Sequence, residues 1–197
     1  MPDSKQSILN AIRQKNLSKL SHPGLQKEKI TFDDPLKQFK ATLEAVGGVS
    51  HEVNSESEIE SHLLKVETYA QANEVYSSLP DFGKANVDLN TIDDPHKVET
   101  VDFGILRGEF GVAENAAIWV TDAGIKHRVV FYIVQHLALV VPRSEIVHNL
   151  HDAYERLSFT EPEFGCFISG PSKTADIEQA LVIGAHGPRS LHVFLVG

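Results

Sequence analysis

The chain has 197 residues, and its 27 acidic side chains outnumber 18 basic ones, so its formal net charge at pH 7 is −9. This balance argues against a nucleic-acid partner, because neutralising phosphates takes a basic surface. No run approaches the roughly 18 apolar residues that a membrane-spanning helix needs. The opening stretch also lacks the apolar core of a signal peptide. We therefore expect a cytoplasmic protein with no membrane insertion and no nucleic-acid partner.

The first half of the chain predicts helices joined to short strands. A helix at 4–17 and a loop at 16–33 divide the chain into an N-terminal helix and tether, 1–33, and an α/β domain, 34–197. Pro35 then begins a helix at a position that favours proline, and glycines 47 and 48 end it. The remaining elements of this half are a strand at 49–53, a helix at 55–72 and a short strand at 74–77.

The second half alternates strands with helices more regularly. Residues 101–105 alternate apolar and polar side chains, and the apolar runs 116–120 and 137–141 are of the kind buried in parallel sheets. The remaining elements are a helix after residues 142–144 that carries Ile146, Val147, Leu150, Tyr154 and Leu157, a strand at 164–169, a helix at 175–183 and a strand at 192–196. This order predicts an α/β fold with a mostly parallel sheet covered on both faces.

The segment Ser169-Gly170-Pro171-Ser172-Lys173-Thr174 lies between a predicted buried strand and a predicted helix. Ligands of open α/β sheets collect at such strand ends. Free N–H groups and the helix dipole favour an anion there. Gly170 allows the backbone to approach a ligand, and Ser172 and Thr174 offer hydroxyls. Lys173 adds a positive charge. We therefore predict an anion-binding loop at 169–174.

A purely structural interpretation of the same segment stays open. Thr174 is then an ordinary N-cap, and Asp176 and Glu178 only complement the dipole of the predicted helix. The glycine and lysine spacing is also not that of a Walker A loop, so the segment does not by itself indicate a nucleotide.

Two further loops carry candidate polar groups. The turn 184–189 contains His186, which donates, accepts or titrates near neutral pH, and Gly187, which suits a tight turn. In the segment 108–117, Glu114 and Asn115 are placed to hydrogen-bond a polar ligand, although a structural turn is an alternative. The predicted ligand-binding residues are Glu114, Asn115, Ser169, Gly170, Pro171, Ser172, Thr174, Asp176, His186 and Gly187. The catalytic candidates are Glu114, Glu178 and His186.

Cysteine and histidine usage does not predict a metal or cofactor in this chain. Cys166 is the only cysteine, and an iron–sulfur cluster takes about four ligands. We interpret Cys166, which lies in an apolar run, as a small buried hydrophobe. His148 and His151 are three residues apart, but no HExxH or CxxC motif accompanies them, so we interpret them as solvated helix residues.

Longer motifs of the C-terminal half carry a family resemblance. The phrase from Ser169 to Glu178, followed by Gly184-Ala185-His186-Gly187-Pro188 and Leu191-His192-Val193, resembles the LUD-domain family, and within it the lactate-utilisation protein C type. The likeness covers about residues 35–197. One departure is that relatives have a Glu-Thr-Gly-Thr-like turn where this chain has Glu114-Asn115-Ala116-Ala117. A different ligand or role in this subfamily therefore stays open.

The resemblance implies a Rossmann-like three-layer α/β sandwich, related to sugar-phosphate isomerases, CoA transferases and formyltetrahydrofolate cyclo-ligases. It also implies a role in oxidising L-lactate to pyruvate. Partner proteins would carry the iron–sulfur clusters, and this chain would bind a small anionic ligand. Two alternatives stay open. The first is a stand-alone isomerase or transferase for a phosphorylated or CoA-linked metabolite, with Glu114 or Glu178 reacting. The second is an assembly module without a ligand of its own, docked through its N-terminal helix.

Overall fold

The computed structural model describes residues 4–15, 29–158, 164–177 and 180–197. Its helices are α1 (Ser4–Gln14), α2 (Pro35–Ala45), α3 (Ile59–Leu63), α4 (Glu67–Gln71), α5 (Val130–Ile133) and α6 (Leu150–Arg156). Its strands are β1 (Val49–Val53), β2 (Val75–Ser77), β3 (Phe103–Arg107), β4 (Phe110–Val112), β5 (Ala117–Thr121), β6 (His136–Pro142), β7 (Ile146–Val147), β8 (Gly165–Ile168), β9 (Lys173–Ile177), β10 (Ala180–Ile183) and β11 (Ser190–Val196). None of the helices in these ranges is long and apolar enough to cross a bilayer.

A five-stranded parallel sheet forms the centre of the molecule, with the order β1-β11-β6-β3-β2. The apolar run predicted at 137–141 lies in its middle strand, β6, where every residue from Leu137 to Val141 is buried. Strands of parallel sheets are covered on both faces, which explains an apolar run without alternation. The predicted α/β class with a mostly parallel sheet is confirmed, in a Rossmann-like three-layer arrangement.

Helices cover the two faces of this sheet. On one face, hereafter the α2 face, Phe39 and Leu43 of α2 and Phe131 of α5 pack with the sheet residues Leu106 and Val193. On the other, hereafter the α4 face, the apolar side chains of α3 and α4 pack with alternate residues of the same strands. These are Ile59, Leu63 and Tyr69 against Phe103, Ile105 and Phe194. Side chains of a strand point alternately to the two faces, so each central strand supplies both layers.

Helix α2 begins and ends where its sequence predicts. Asp34 accepts a hydrogen bond from Lys37 N at 2.9 Å, which satisfies a free N–H of the first turn. At the other end, Gly48 N donates to Leu43 O at 2.9 Å, and Gly47 adopts a φ of +88°. Glycine enters this left-handed region without a Cβ clash, and such a residue is a common end for a helix.

A second, four-stranded sheet has the order β7-β4-β5-β8, and β5 pairs antiparallel with both of its neighbours. The interpretation of run 116–120 as a parallel strand is therefore wrong. Only a short connection separates β4 from β5, and a connection that short joins antiparallel strands. The helix predicted to carry Ile146 and Val147 is also wrong at its start. These β-branched residues form β7 against Gly111 and Val112, and α6 begins only at Leu150.

Two other predicted helices differ from the structure. The helix predicted over 55–72 is broken into a short 3-10 turn, α3 and α4. The helix predicted over 175–183 is wrong, because β9 and β10 pair there as an antiparallel hairpin. The segment holds helix formers, but Ile177, Val182 and Ile183 are β-branched and favour an extended chain. Helix α1 has no buried residue, and the boundary between 33 and 34 stays a prediction.

Candidate functional site

The three loops singled out by the sequence meet in the structure. Ser169 Oγ donates a hydrogen bond to Asn115 O at 2.7 Å. Ser172 N donates to Pro188 O at 2.8 Å, and Gly184 N donates to Ser172 O at 3.0 Å. We call this region, residues 114–116, 169–174 and 184–189, the loop junction.

The central segment of the loop junction packs on the C-terminal turn of α2. Gly170 has a φ of +70°, and a Cβ on it would lie 2.8 Å from Val46 O. Pro171 is buried, and a Cβ on Gly47 would lie 3.5 Å from its ring. Gly170 is thus required both by its backbone conformation and by the close approach of α2. Gly170, which was expected to let the backbone approach a ligand, lets it approach the C-terminal end of α2.

A second close approach joins Gly187 to Ser172. A Cβ on Gly187 would lie 3.0 Å from Ser172 Cβ, 3.2 Å from its hydroxyl oxygen and 3.6 Å from Tyr132 O. His186 and Lys173 are exposed beside this contact. The loop junction therefore includes a half-buried hydroxyl, an exposed imidazole and an exposed ammonium group.

The helix dipole does not contribute to anion binding here. Ser172 is followed by β9 and not by a helix, so the predicted helix N-terminus is wrong, and so is the N-cap interpretation of Thr174, which pairs with Val182 across the hairpin. Asp176 lies in β9 and not in a first helical turn. Glu178 falls outside the described residues. Attraction for an anion at this surface must therefore come from charged side chains rather than from backbone dipoles.

Glu114 contacts α6. Its carboxylate Oε2 accepts a hydrogen bond from Leu150 N at 2.9 Å, and its own N–H donates to His148 O at 3.1 Å. A carboxylate at the first turn of a helix satisfies a free N–H there. Asn115 is also used locally, since its Oδ1 accepts from Ala117 N at 3.1 Å. The structure thus shows a stabilising role for both side chains.

Cys166, predicted to be a buried hydrophobe, is only half-buried, and its thiol forms a side-chain hydrogen bond with Tyr132. Burial raises the pKa of the Cys166 thiol, and the hydrogen bond from Tyr132 only partly opposes this. Burial is the main cause that raises the pKa of Tyr132 to about 12, and the hydrogen bond with Cys166 acts in the same direction. Both groups are therefore protonated at neutral pH, and Cys166 lacks the thiolate character that a nucleophile needs.

Sequence reasoning missed a row of histidines on the α4 face of the central sheet. His51 Nε2 and His192 Nδ1 are 3.0 Å apart, and the His51 ring stacks on Phe194 with centroids 4.7 Å apart. Burial, reinforced by His51 and His136, lowers the pKa of His192 to about 4. The His192 ring is therefore neutral near pH 7. Strand alternation is the signal that could have found it, because His192 falls between the buried residues Leu191 and Val193.

The two histidines considered as metal ligands from the sequence, His148 and His151, differ in their surroundings. The interpretation of His148 as a solvated helix residue is wrong, because His148 precedes α6, is half-buried, and its Nδ1 accepts a hydrogen bond from Phe32 N at 3.1 Å. His151 is exposed on α6, as predicted. Within the part of the chain that the structure describes, no three His, Cys, Asp or Glu side chains come together as a metal site.

Comparison with known proteins identifies the family. The family model described as the LUD domain matches residues 93–196, more than half of the 197 residues. The chain therefore belongs to the LUD-domain family. It is also similar in fold to a DUF162 family protein from Deinococcus radiodurans. That likeness has a TM-score of 0.65 and 20% sequence identity, and it covers 83% of this chain and 96% of that one.

Two relatives illustrate the likeness in sequence. Lactate utilization protein C 1 of Bacillus mycoides (strain KBAB4) is 35% identical over 100 residues, which are 46% of this chain and 41% of that protein. Lactate utilization protein C of Geobacillus kaustophilus (strain HTA426) is 28% identical over 135 residues, which are 65% of this chain and 52% of that protein. The chain thus spans about half the length of these relatives.

Proposed function

We propose that this member of the LUD-domain family is a cytoplasmic subunit of a system that oxidises L-lactate to pyruvate, and that it binds a small anionic ligand at the loop junction. The observation that carries the proposal is the extent of the family match. Residues 93–196 contain all three segments of the loop junction. Relatives similar to this chain are lactate utilization proteins C.

The chemistry of the reaction supports a role for partner proteins. Oxidation of L-lactate to pyruvate releases two electrons and two protons, and the electrons need an acceptor. The chain has one cysteine, and an iron–sulfur cluster takes about four ligands. In this proposal, the clusters that accept the electrons belong to partner proteins, and this chain contributes ligand binding and contacts within the assembly.

The charge of one side chain in the loop junction supports the proposal of an anionic ligand. Lys173 is exposed there and forms no ion pair with another described residue. An exposed ammonium group at a loop surface attracts a carboxylate as a point charge. In this proposal, Ser172 and His186, which lie in the same loop junction, also contact the ligand.

Reconstitution tests the proposal. Lactate oxidation is followed with an artificial electron acceptor in three samples: the purified chain, the iron–sulfur partner proteins, and the two combined. We expect turnover only in the combined sample, because neither part holds every group that the reaction needs. Robust turnover by the chain alone, or full turnover by the partners without it, would contradict the proposal.

A further inference from the structure

A cavity of about 270 Å³ lies at the amino-terminal edge of the central sheet, where the loop junction ends. Asp102, Gln135 and Arg189 come directly before β3, β6 and β11, so these neighbouring parallel strands bring them to one edge. Arg189 N donates to Gln135 O at 2.8 Å, and His136 N donates to Asp102 O at 3.0 Å. The sheet therefore holds these residues in a fixed row along the cavity.

The remaining lining of the cavity comes from residues 68–73. Asp102 joins this segment to the row by hydrogen bonds. Its carboxylate Oδ2 accepts hydrogen bonds from Asn73 N at 2.7 Å and from Glu74 N at 3.1 Å. One oxygen of Asp102 is thus used in joining this segment to the sheet. The hydroxyl oxygen of Thr68, also in this segment, is buried and has no hydrogen-bond partner among the described residues.

Arg189 is the cation of this cavity. Its stem crosses the turn at Gly184, since a Cβ on Gly184 would lie 2.3 Å from Arg189 Cγ. Glycine at that turn therefore leaves the room that the arginine stem occupies. The guanidinium forms no ion pair or hydrogen bond with the described side chains, so its paired N–H groups are available to a ligand.

His136 provides a neutral ring beside that cation. Its Nδ1 lies 2.8 Å from Ser190 Oγ, and its ring stacks on Phe103. Burial and then the charge of Arg189 lower the pKa of His136, although Asp102 acts in the opposite direction. Its Nε2 has no hydrogen-bond partner in the described part of the chain. The described lining thus combines one cation, Arg189, with one carboxylate, Asp102, whose Oδ2 is already bound by backbone N–H groups, and with neutral hydrogen-bonding groups.

We propose that this cavity binds a small carboxylate that carries a hydroxyl or oxo group on the adjacent carbon. The Arg189 guanidinium pairs with the carboxylate through two hydrogen bonds. The His136 ring and the Gln135 amide bind the adjacent oxygen. A cavity of about 270 Å³ suits a ligand of few atoms better than a nucleotide, since sites for drug-sized ligands start at about 300 Å³. The choice of a 2-hydroxy or 2-oxo acid rests on the proposed function.

Calorimetric titration of the full chain tests the inference, with sodium L-lactate, pyruvate and acetate as probes. We expect lactate and pyruvate to bind more tightly than acetate, which lacks the second oxygen. Arg189→Gln should raise the dissociation constant for lactate by about tenfold or more, because it removes a charge-assisted pair. Arg189→Lys keeps the charge but not the paired geometry, so its affinity should be intermediate. Arg13→Gln, on exposed α1, removes the same charge elsewhere and should leave affinity unchanged.

The outcomes separate the cavity from the proposed function. Absence of lactate and pyruvate binding, or equal affinity in Arg189→Gln and the wild type, would overturn the inference. Binding that is lost in Ser172→Ala but kept in Arg189→Gln would overturn it too, while leaving the proposed function in place. Binding that depends on Arg189, in a chain that the reconstituted system does not need, would support the cavity and contradict the proposed function. Thermal unfolding of each variant verifies that it is folded. If Arg189→Gln is not folded, the affinity of Arg189→Lys for lactate tests the inference in its place.

Discussion

The central sheet and the β9–β10 hairpin use similar residue types in different settings. Ile105, in β3, is fully buried between two neighbouring strands. Ile183, in β10, is 53% exposed, and among the strands that the structure describes β10 pairs only with β9. The sheet is held by apolar layers on both faces, whereas β9 and β10 are joined to each other by an antiparallel ladder. Burial therefore concentrates stability in the sheet, while the end of β10 at Ile183 is surface.

This difference bears on how function is distributed. The loop junction joins β8 to the hairpin and the hairpin to β11, so its residues are positioned by the sheet and yet remain accessible. Loops on a rigid scaffold commonly carry binding residues, because they can vary without loss of the core. We therefore expect substitutions in the sheet to lower stability and substitutions in the accessible loops to change binding.

The largest expected difference in the free energy of unfolding is between variants of two isoleucines. Ile105→Ala should lower the free energy of unfolding by about 3 kcal/mol, because it removes buried methyl groups and leaves a cavity. Ile183→Ala should lower it by about 0.5 kcal/mol or less, because the side chain is already half exposed. Urea denaturation of both variants measures the difference. Equal losses would mean that the hairpin is as much a part of the core as β3 is.

A pair of glycines probes the contact between the loop junction and α2. Gly170→Ala should cost about 2–3 kcal/mol, because its φ is positive and the new Cβ meets Val46 O. Gly124→Ala should cost only about 1 kcal/mol, because that glycine has a similar φ and a Cβ there would have no heavy atom within 4 Å. Thermal unfolding compares the two. If both variants lose the same stability, the loop does not rest against α2.

A smaller effect contrasts a histidine of the sheet with one of the loop. The pKa of His192 is about 4 in the folded chain, against an ordinary value of 6.5. Between these values the unfolded chain takes up a proton that the folded chain refuses, so stability falls as the pH falls from about 6.5 to 4. Because the ring is only partly buried, we expect a contribution of about 1–2 kcal/mol.

Denaturation at a series of pH values checks this contribution. His192→Gln should flatten the loss of stability in that window by removing the titrating ring. His186→Gln, in the exposed turn of the loop junction, serves as the comparison for the loss of a histidine outside the sheet. Identical slopes in His192→Gln and the wild type would show that His192 does not titrate with folding.

Prediction from sequence succeeded where the signal is local or strong. Helix α2 has a capping aspartate, a proline at its start and a glycine at its end, all within or beside the segment itself. Strand β6 is an uninterrupted apolar run, which is typical of a central parallel strand. The family could be recognised because its phrase at 169–178 is continuous in the chain. Prediction failed at 175–183, where alanine, glutamate and leucine favour a helix as much as the β-branched residues favour a strand.

The sequence by itself determined the α/β class, the central apolar strands, helix α2 and the family. Only the tertiary structure decided that Asn115, Ser169 and Pro188 belong to one junction, and that His51, His136 and His192 share one face of the sheet. Only the structure also set Arg189 beside Gln135 and His136. The physical reason is the distance along the chain over which each kind of interaction acts. Caps, turns and apolar runs act between near neighbours in the chain. Strand pairing and burial join residues more than a hundred positions apart, such as His51 and His192.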